Sequence, residues 1–217
     1  MKTYQLLQVG LDERAKEIIQ MKSISLFLIA VVVATAAQLS KAADDWLKTM
    51  PEFELTDHLG HTHNLDMYGN REFLVFYVQG NGCPIARIAL PNLREVRAEF
   101  QDRGIEFLAF NSNIQDSLAA ISREAENFGI DFPILKDEGQ VLAKSLGVER
   151  TAEVFVVNPR TRAVLFRGPI NDQLGYETQR NSASEHYLKD ALNTVLAGGT
   201  VNMDDIPDSK GCLIAIF

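Results

Sequence analysis

Cys83 stands at the end of Gln79-Gly80-Asn81-Gly82 and immediately before Pro84. Proline suits the first turn of a helix, because its missing N–H would have no intrahelical partner there, so the order places Cys83 at or next to an N-cap. At that seat the unpaired N–H groups and the positive end of the helix dipole favour thiolate over thiol, and thiolate is the nucleophile. Arg87, one helical turn further on, shares the face of Cys83 and is the candidate thiolate stabiliser. Gly80 and Gly82 leave room for a substrate backbone. The only other cysteine is Cys212, far along the chain. One reading has Cys83 attack a peroxide or a disulfide and Cys212, on a mobile tail, resolve the intermediate. The alternatives are that Cys212 is a small buried hydrophobe or a permanent staple, and that Cys83 is inert.

The elements that must position Cys83 follow from the apolar pattern. Phe73-Leu74-Val75-Phe76-Tyr77-Val78 is a buried-strand run that feeds the cysteine loop. From Pro84 to Asp102, Ile85, Ile88, Ala89, Leu93, Val96 and Phe100 form a helical stripe, with a kink expected at Pro91 and a stop at Gly104. Ile105 to Phe110 reads as the next buried strand, and a helix resumes from about Asp116 to Phe128. Asn111 and Asn113, at the carboxyl end of that strand, are pocket candidates, with helix capping as the plainer role. A short helix is expected over Gly139 to Leu146. A hairpin of Val154–Val157 and Ala163–Arg167 follows, then a last helix from Glu185 to Leu196 capped by Ser182 or Ser184. Upstream, Phe53–Asp57 and Thr62–Leu65 read as a hairpin turning at His58-Leu59-Gly60-His61. The apolar end of the chain, Leu213 to Phe217, is expected to pack on the domain or on a partner.

Strand, short loop, Cys-Pro-x-x and a helix with Pro91 eight residues after the cysteine resemble the thioredoxin-like superfamily, in its redoxin branch of AhpC/TSA-type peroxiredoxin relatives and TlpA-like proteins. Asp131-Phe132-Pro133-Ile134-Leu135-Lys136-Asp137 is similar to a segment that redoxins carry before a short helix. The resemblance implies an α/β thioredoxin-like fold, a central mixed sheet flanked by helices, with an N-terminal hairpin, and thiol-dependent redox activity. It departs from the pattern at three points. Ala86 occupies the place of the second cysteine of CxxC. Phe76 and Gly80 stand where the peroxiredoxin signature has proline and threonine. Ala152, in Arg150-Thr151-Ala152-Glu153, takes the place of the family's cis-proline. A cis bond before alanine would cost about 2.5–4 kcal/mol, so a trans bond and a differently shaped loop are expected. Relatives that assemble electron centres suggest a third alternative, a copper site made by Cys83, Cys212 and a histidine. A redox-silent interaction module stays open beside it.

Length and composition bound these readings. The 217 residues, 46% apolar and 23% charged, fit one globular domain with extensions. Met21-Lys22-Ser23, the apolar run Ile24 to Ala37 and Ser40-Lys41-Ala42 have the charged start, apolar middle and small-x-small end of an export signal. Cleavage after Ala42 is expected, with an uncleaved anchor as the only route to a membrane and Met21 as a possible true start. The expected layout is therefore a leader over 1–42, a redoxin domain over 43–200 and a tail over 201–217. Removing 1–42 takes five basic and three acidic side chains, so of 21 Lys+Arg and 29 Asp+Glu there remain 16 and 26, a net charge of −10. Such a surface repels phosphate backbones and excludes nucleic acid as a partner, leaving a peroxide or a protein disulfide or thiol. An exported, periplasmic or extracellular location permits a lasting disulfide. No cofactor is expected. His58, His61 and His63 are the metal candidates, His61 and His63 sharing a strand face, against the plainer reading of a polar turn.

Overall fold

A computed structural model describes residues 49–175 and 179–217. The expected leader over 1–42, its cleavage after Ala42, the choice of Met1 or Met21 and Trp46 lie outside the described residues. The elements run in the order β1 (Leu55–Thr56), β2 (Thr62–His63), β3 (Phe73–Val78), α1 (Pro84–Phe100), β4 (Ile105–Asn111), α2 (Leu118–Phe128), β5 (Ile134–Lys136), α3 (Val141–Leu146), β6 (Val154–Val157), β7 (Val164–Gly168) and α4 (Tyr187–Leu196). The main sheet is ordered β5-β4-β3-β6-β7. β3 pairs in parallel with β4, and β4 with β5, each through a helical crossover, whereas β6 and β7 join antiparallel. The turn between β6 and β7 is closed by Asn158, whose Oδ1 accepts from the N–H groups of Arg160 and Thr161 at 2.9 and 3.1 Å. The result is the α/β mixed sheet flanked by helices that the sequence implies.

The central strand has a core on each face. Val75 and Tyr77 point to a cluster that includes Leu93 and Phe100 of α1, Ile121 of α2 and Leu188 and Leu192 of α4. Leu74, Phe76 and Val78 point the other way, to Leu142 and Leu146 of α3 and to Phe53 and Leu65. The alternation is the period of two of a strand, and it makes β3 hydrophobic throughout because neither face meets water. Each such side chain contributes about 1.5–3 kcal/mol when fully buried. The strand that delivers the cysteine is thus the best-secured element of the domain.

Several local expectations are corrected. α1 buries Ala86, Ala89, Leu90, Leu93, Val96 and Phe100, while Ile88 is exposed and Ile85 half-buried. The Tyr77 hydroxyl donates to the Ala86 carbonyl at 2.7 Å, tying the first turn of α1 to β3. α1, with Pro91 inside it, stops at Phe100 instead of Asp102, followed by a 3₁₀ turn over Gln101–Arg103 and by Gly104 at φ 79. The N-terminal hairpin is only two residues per strand, and Leu65 opens a 3₁₀ turn capped by Asn64 instead of extending the return strand. α2 is capped by Ser117, so it starts at Leu118 and not at Asp116. α4 takes no cap from Ser182 or Ser184. Asp172, from the preceding loop, accepts from the N–H groups of Ser184 and Glu185 at 2.8 and 3.1 Å and from the Ser184 hydroxyl at 2.6 Å. The Ser184 hydroxyl first, and then the Glu185 N–H, hold that carboxyl at about 2. Among the described residues no helix is long and apolar enough to cross a membrane.

Candidate functional site

The loop after β3 is built to hold a sulfur at a helix mouth. Gln79 N–H donates to the Phe110 carbonyl at 2.9 Å, and Cys83 N–H to the Gly80 carbonyl at 3.3 Å, so the chain turns tightly between strand and helix. Gly82 takes φ 74 in that turn. A Cβ on Gly80 would lie 2.6 Å from Thr151 Cγ2 and 2.9 Å from Asn113 Nδ2, so the approach of the facing loop demands glycine there. Cys83 is the N-cap of α1 at φ −71 and ψ 114, with Pro84 in the first turn, and its sulfur accepts from the Ala86 N–H at 3.5 Å. The expected seat is therefore occupied.

Cys83 is joined to Cys212 by a disulfide across 129 residues, with a Cα–Cα distance of 6.0 Å, inside the range that a disulfide spans. Thr151 binds both halves. Its hydroxyl donates to Cys83 Sγ at 3.0 Å and accepts from the Cys212 N–H at 3.0 Å, while its own N–H donates to the Cys212 carbonyl at 3.0 Å. Ile214 N–H then donates to the Glu149 carbonyl at 2.9 Å, and Arg150 and Leu213 form an antiparallel bridge. The tail so lies along residues 149–151 as a short extra strand. A Cβ on Gly211 would collide with the Thr151 carbonyl, which fixes glycine before the second cysteine. In this state Cys83 is buried and Cys212 half-buried.

Ala152 follows Thr151 with φ 64, and no cis peptide bond occurs among the described residues. Its N–H donates to the Val78 carbonyl at 2.8 Å. The loop facing the cysteine therefore reaches its place by a left-handed residue, at a backbone cost of about 1–3 kcal/mol. Behind it, Glu153 is buried against Arg167, with Nε to Oε1 at 2.6 Å. Burial pushes the Glu153 carboxyl up, and the Arg167 hydrogen bond opposes that.

A buried polar network supports the loop from the other side. Asp116 Oδ2 accepts from the Asn81 N–H, from Asn111 Nδ2 and from Asn113 Nδ2 at 3.0, 2.8 and 3.0 Å. Asn111 also donates to Gln79 Oε1 at 2.6 Å, and Lys136 Nζ donates to the Asn113 carbonyl at 2.5 Å. Burial lowers the Lys136 ammonium from its ordinary range. Asn111 and Asn113 thus point inward to Asp116. The N-cap of α2 is Ser117 and neither asparagine.

The remaining candidates are placed elsewhere. Arg87 sets its guanidinium against Glu124, with Nε to Oε1 at 2.7 Å and Nη2 to Oε2 at 2.8 Å, and stacks 4.2 Å from the Phe128 ring centroid. Its charge is paired with the Glu124 carboxylate in a bidentate bridge between α1 and α2. Among the described residues no group of three His, Cys, Asp or Glu is placed to hold a metal. His61 and His63 both turn to Asp57 Oδ2, at 3.5 Å from Nδ1 of the exposed His61 and 2.9 Å from Nε2 of the buried His63, although β2 contains only Thr62–His63. His63 lies between the Tyr68 hydroxyl at 2.5 Å and Asp57 Oδ2 at 2.9 Å, and His58 Nδ1 accepts the Ile134 N–H at 3.2 Å. Burial works against the Asp57 carboxylate, but the His61 N–H, the His63 ring and the Leu59 N–H outweigh it and hold that carboxyl below its ordinary value. Sequence reasoning missed Thr151, Asp116 and Gln140. Thr151 carried one signal, its place beside Ala152 in the loop that faces the cysteine.

The geometry places one sulfur of a disulfide at a helix N-terminus, within reach of a helix N–H and a hydroxyl. The AhpC/TSA family model matches residues 47–165. The thiol-disulfide oxidoreductase ResA of Geobacillus kaustophilus (strain HTA426) is 31% identical over 51% of this chain and 62% of its own. The chain thus spans less than two thirds of the length of that curated relative. Among solved structures, a hypothetical protein of Sinorhizobium meliloti 1021 is 25% identical with a TM-score of 0.66, covering 78% of this chain and 93% of that one. Peroxidoxin BcpB of Mycobacterium tuberculosis is 20% identical with a TM-score of 0.50, covering 70% and 93%, and shares the fold. Matched over more than half its length by that model, the chain belongs to the AhpC/TSA family.

Proposed function

We propose that the chain is a thiol-dependent oxidoreductase whose two-electron couple is Cys83 and Cys212. The observation that carries this is the disulfide itself, with one sulfur at the N-terminus of α1 and the Thr151 hydroxyl 3.0 Å from it. In the reduced protein the Cys83 thiolate attacks a sulfur of a substrate disulfide, a mixed disulfide forms and the first substrate thiolate leaves. Cys212 then attacks the Cys83 sulfur, closes the Cys83–Cys212 bond and expels the second thiolate, so two electrons pass from the protein to the substrate. With a peroxide the same pair would end in the same bond, through a sulfenic acid on Cys83 and loss of water. Thr151 and the Ala86 N–H stabilise the thiolate in either case. The role of Arg87 is positional, tying α1 to α2 through Glu124.

Stopped-flow mixing of the reduced full chain with a disulfide-bonded peptide, and separately with hydrogen peroxide, tests the proposal. Stoichiometric formation of Cys83–Cys212 with release of the peptide thiols supports thiol–disulfide exchange, and formation only with peroxide assigns the peroxidase branch. If neither oxidant closes the bond, the couple is not functional. Residues 1–42 are proposed as an export leader cleaved after Ala42, leaving the domain over 43–200 and the tail over 201–217. The sequence pattern and a disulfide that needs an oxidising compartment support this. The N-terminal mass of the exported protein checks it, with Ala43 expected first.

A further inference from the structure

Gln140 lies in the turn before α3 in the left-handed region at φ 55 and is 1% exposed. Its Nε2 donates to the Ser112 carbonyl at 3.0 Å and to the Ala215 carbonyl at 2.7 Å, while its Oε1 accepts from the Phe217 N–H at 2.9 Å. One amide thus serves a C=O and an N–H of the tail, two residues apart, and is itself anchored to the end of β4 through Ser112. Upstream, the tail is held through the backbone at Thr151 and Glu149 and by Ile214, which is buried in the core behind β3. Leu213 faces solvent between the inward Cys212 and Ile214. A slip of one residue would turn Leu213 inward and Cys212 away from Cys83, so whatever fixes the register of the tail also fixes the meeting of the two sulfurs.

We propose that Gln140 is a register clamp on the C-terminal tail, a positioning residue that raises the effective concentration of Cys212 at Cys83 and so sets the equilibrium constant of their disulfide. The inference rests on the redox couple proposed above. With glutathione as the reductant, the Cys83–Cys212 bond breaks and two glutathione thiols join as their own disulfide. Two electrons and two protons pass to the protein, which is left as two thiols. A tail held in register makes the intramolecular bond harder to reduce, since the constant of this exchange measures how concentrated each sulfur is at the other.

Gln140→Gly is the appropriate change, because glycine takes φ 55 without cost whereas alanine would add strain. Equilibration of the full chain in glutathione buffers, read by mass after acid quench, should show the disulfide roughly tenfold easier to reduce, the effect of losing two ordinary hydrogen bonds. For a two-electron couple that is about 30 mV. Deletion of residues 215–217, which removes the other side of the clamp, should give a similar shift, and the two changes together should give little more than either alone. An unchanged constant in Gln140→Gly, or two shifts that multiply in the double variant, overturns the clamp and leaves the couple standing. A wild-type chain whose cysteines both stay free in oxidised glutathione overturns the couple, and the clamp with it.

Discussion

Cys83 is held by a framework whose contacts run among β3, β4, α1 and α2, whereas Cys212 rides on a tail secured by backbone contacts to residues 149–151, by the Thr151 hydroxyl and the Arg150 guanidinium, and by the Gln140 amide. The Asp116 network and the glycine turns of the Cys83 loop involve no atom of Cys212. The tail has Ile214 as its one fully buried anchor beyond Cys212, with Leu213, Ile216 and Phe217 exposed. Breaking the bond should therefore leave one sulfur where it was and free the other.

The largest expected effect comes from removing the tail's covalent hold. Cys212→Ser deletes a cross-link over 129 residues, which the chain-entropy description values at about 5 kcal/mol and measured native disulfides at about 2–5 kcal/mol. Denaturant unfolding under oxidising conditions should show that loss, and the difference from wild type should vanish in dithiothreitol. The framework is probed by Ala152→Pro, which would install the residue that the family carries in this loop. Proline requires φ near −65° and has no N–H, whereas position 152 sits at φ 64 and donates to Val78. A loss of about 3 kcal/mol is expected from the combined backbone and hydrogen-bond terms, in oxidised and reduced protein alike. If the proline variant lost stability only when oxidised, the loop would belong to the tail and not to the framework.

The same division governs what could be read from the chain. The strand, the glycine loop, Cys83 and Pro84 announce themselves because their causes are local: a buried apolar run, a φ-fixed ring and an N-cap lie within a dozen residues. Ala152 was legible as a departure, though its left-handed φ was not, since that follows from the reach of its N–H to Val78. The partner of Arg87 was invisible because Glu124 is brought in by the crossover of α2, and a helix-face argument sees only its own helix. Asp172 displaced Ser184 as the support of α4 for the same reason. Gln140 gave no signal at all, because a glutamine before a short helix is ordinary until a tail 75 residues later lies against it. His61 and His63, assigned to one strand face, do converge, but on the carboxylate of Asp57 from the other side of the hairpin, which their own spacing could not name.

Thr151 joins the two regions, and a smaller effect is expected from it. Thr151→Val keeps the shape and removes the hydroxyl that donates to Cys83 Sγ and accepts from the Cys212 N–H. Loss of one hydrogen bond to a charged sulfur is worth about 1.5–3 kcal/mol, so iodoacetamide should label reduced Cys83 at neutral pH roughly ten- to a hundredfold more slowly. Equal rates for the two proteins would remove Thr151 from the chemistry.

The smallest effect is expected far from both sulfurs, in the N-terminal hairpin, and it sharpens the comparison by showing that the framework has its own titration. Burial lowers the His58 imidazole from its ordinary 6.5, since Nδ1 must stay unprotonated to accept the Ile134 N–H. The unfolded chain then binds more protons than the folded one between the lowered value and 6.5, so stability rises with pH across that window and is lost as pH falls below about 6.5. The Asp57 carboxyl, also lowered, contributes stability that is present above its ordinary 3.8 and lost as pH falls through its folded value. Urea unfolding of the oxidised protein should accordingly weaken on acidification in an upper step from His58 and a lower one to which Asp57 contributes beside Asp131 and Asp172. His58→Gln, which keeps an acceptor for Ile134 and does not titrate, should abolish the upper step alone. In that variant the Cys83–Cys212 equilibrium with glutathione at pH 7 should match wild type, because the hydrogen bonds of His58 run to Ile134 of the edge strand β5 and to Ser122 of α2, not to the tail or the cysteine loop.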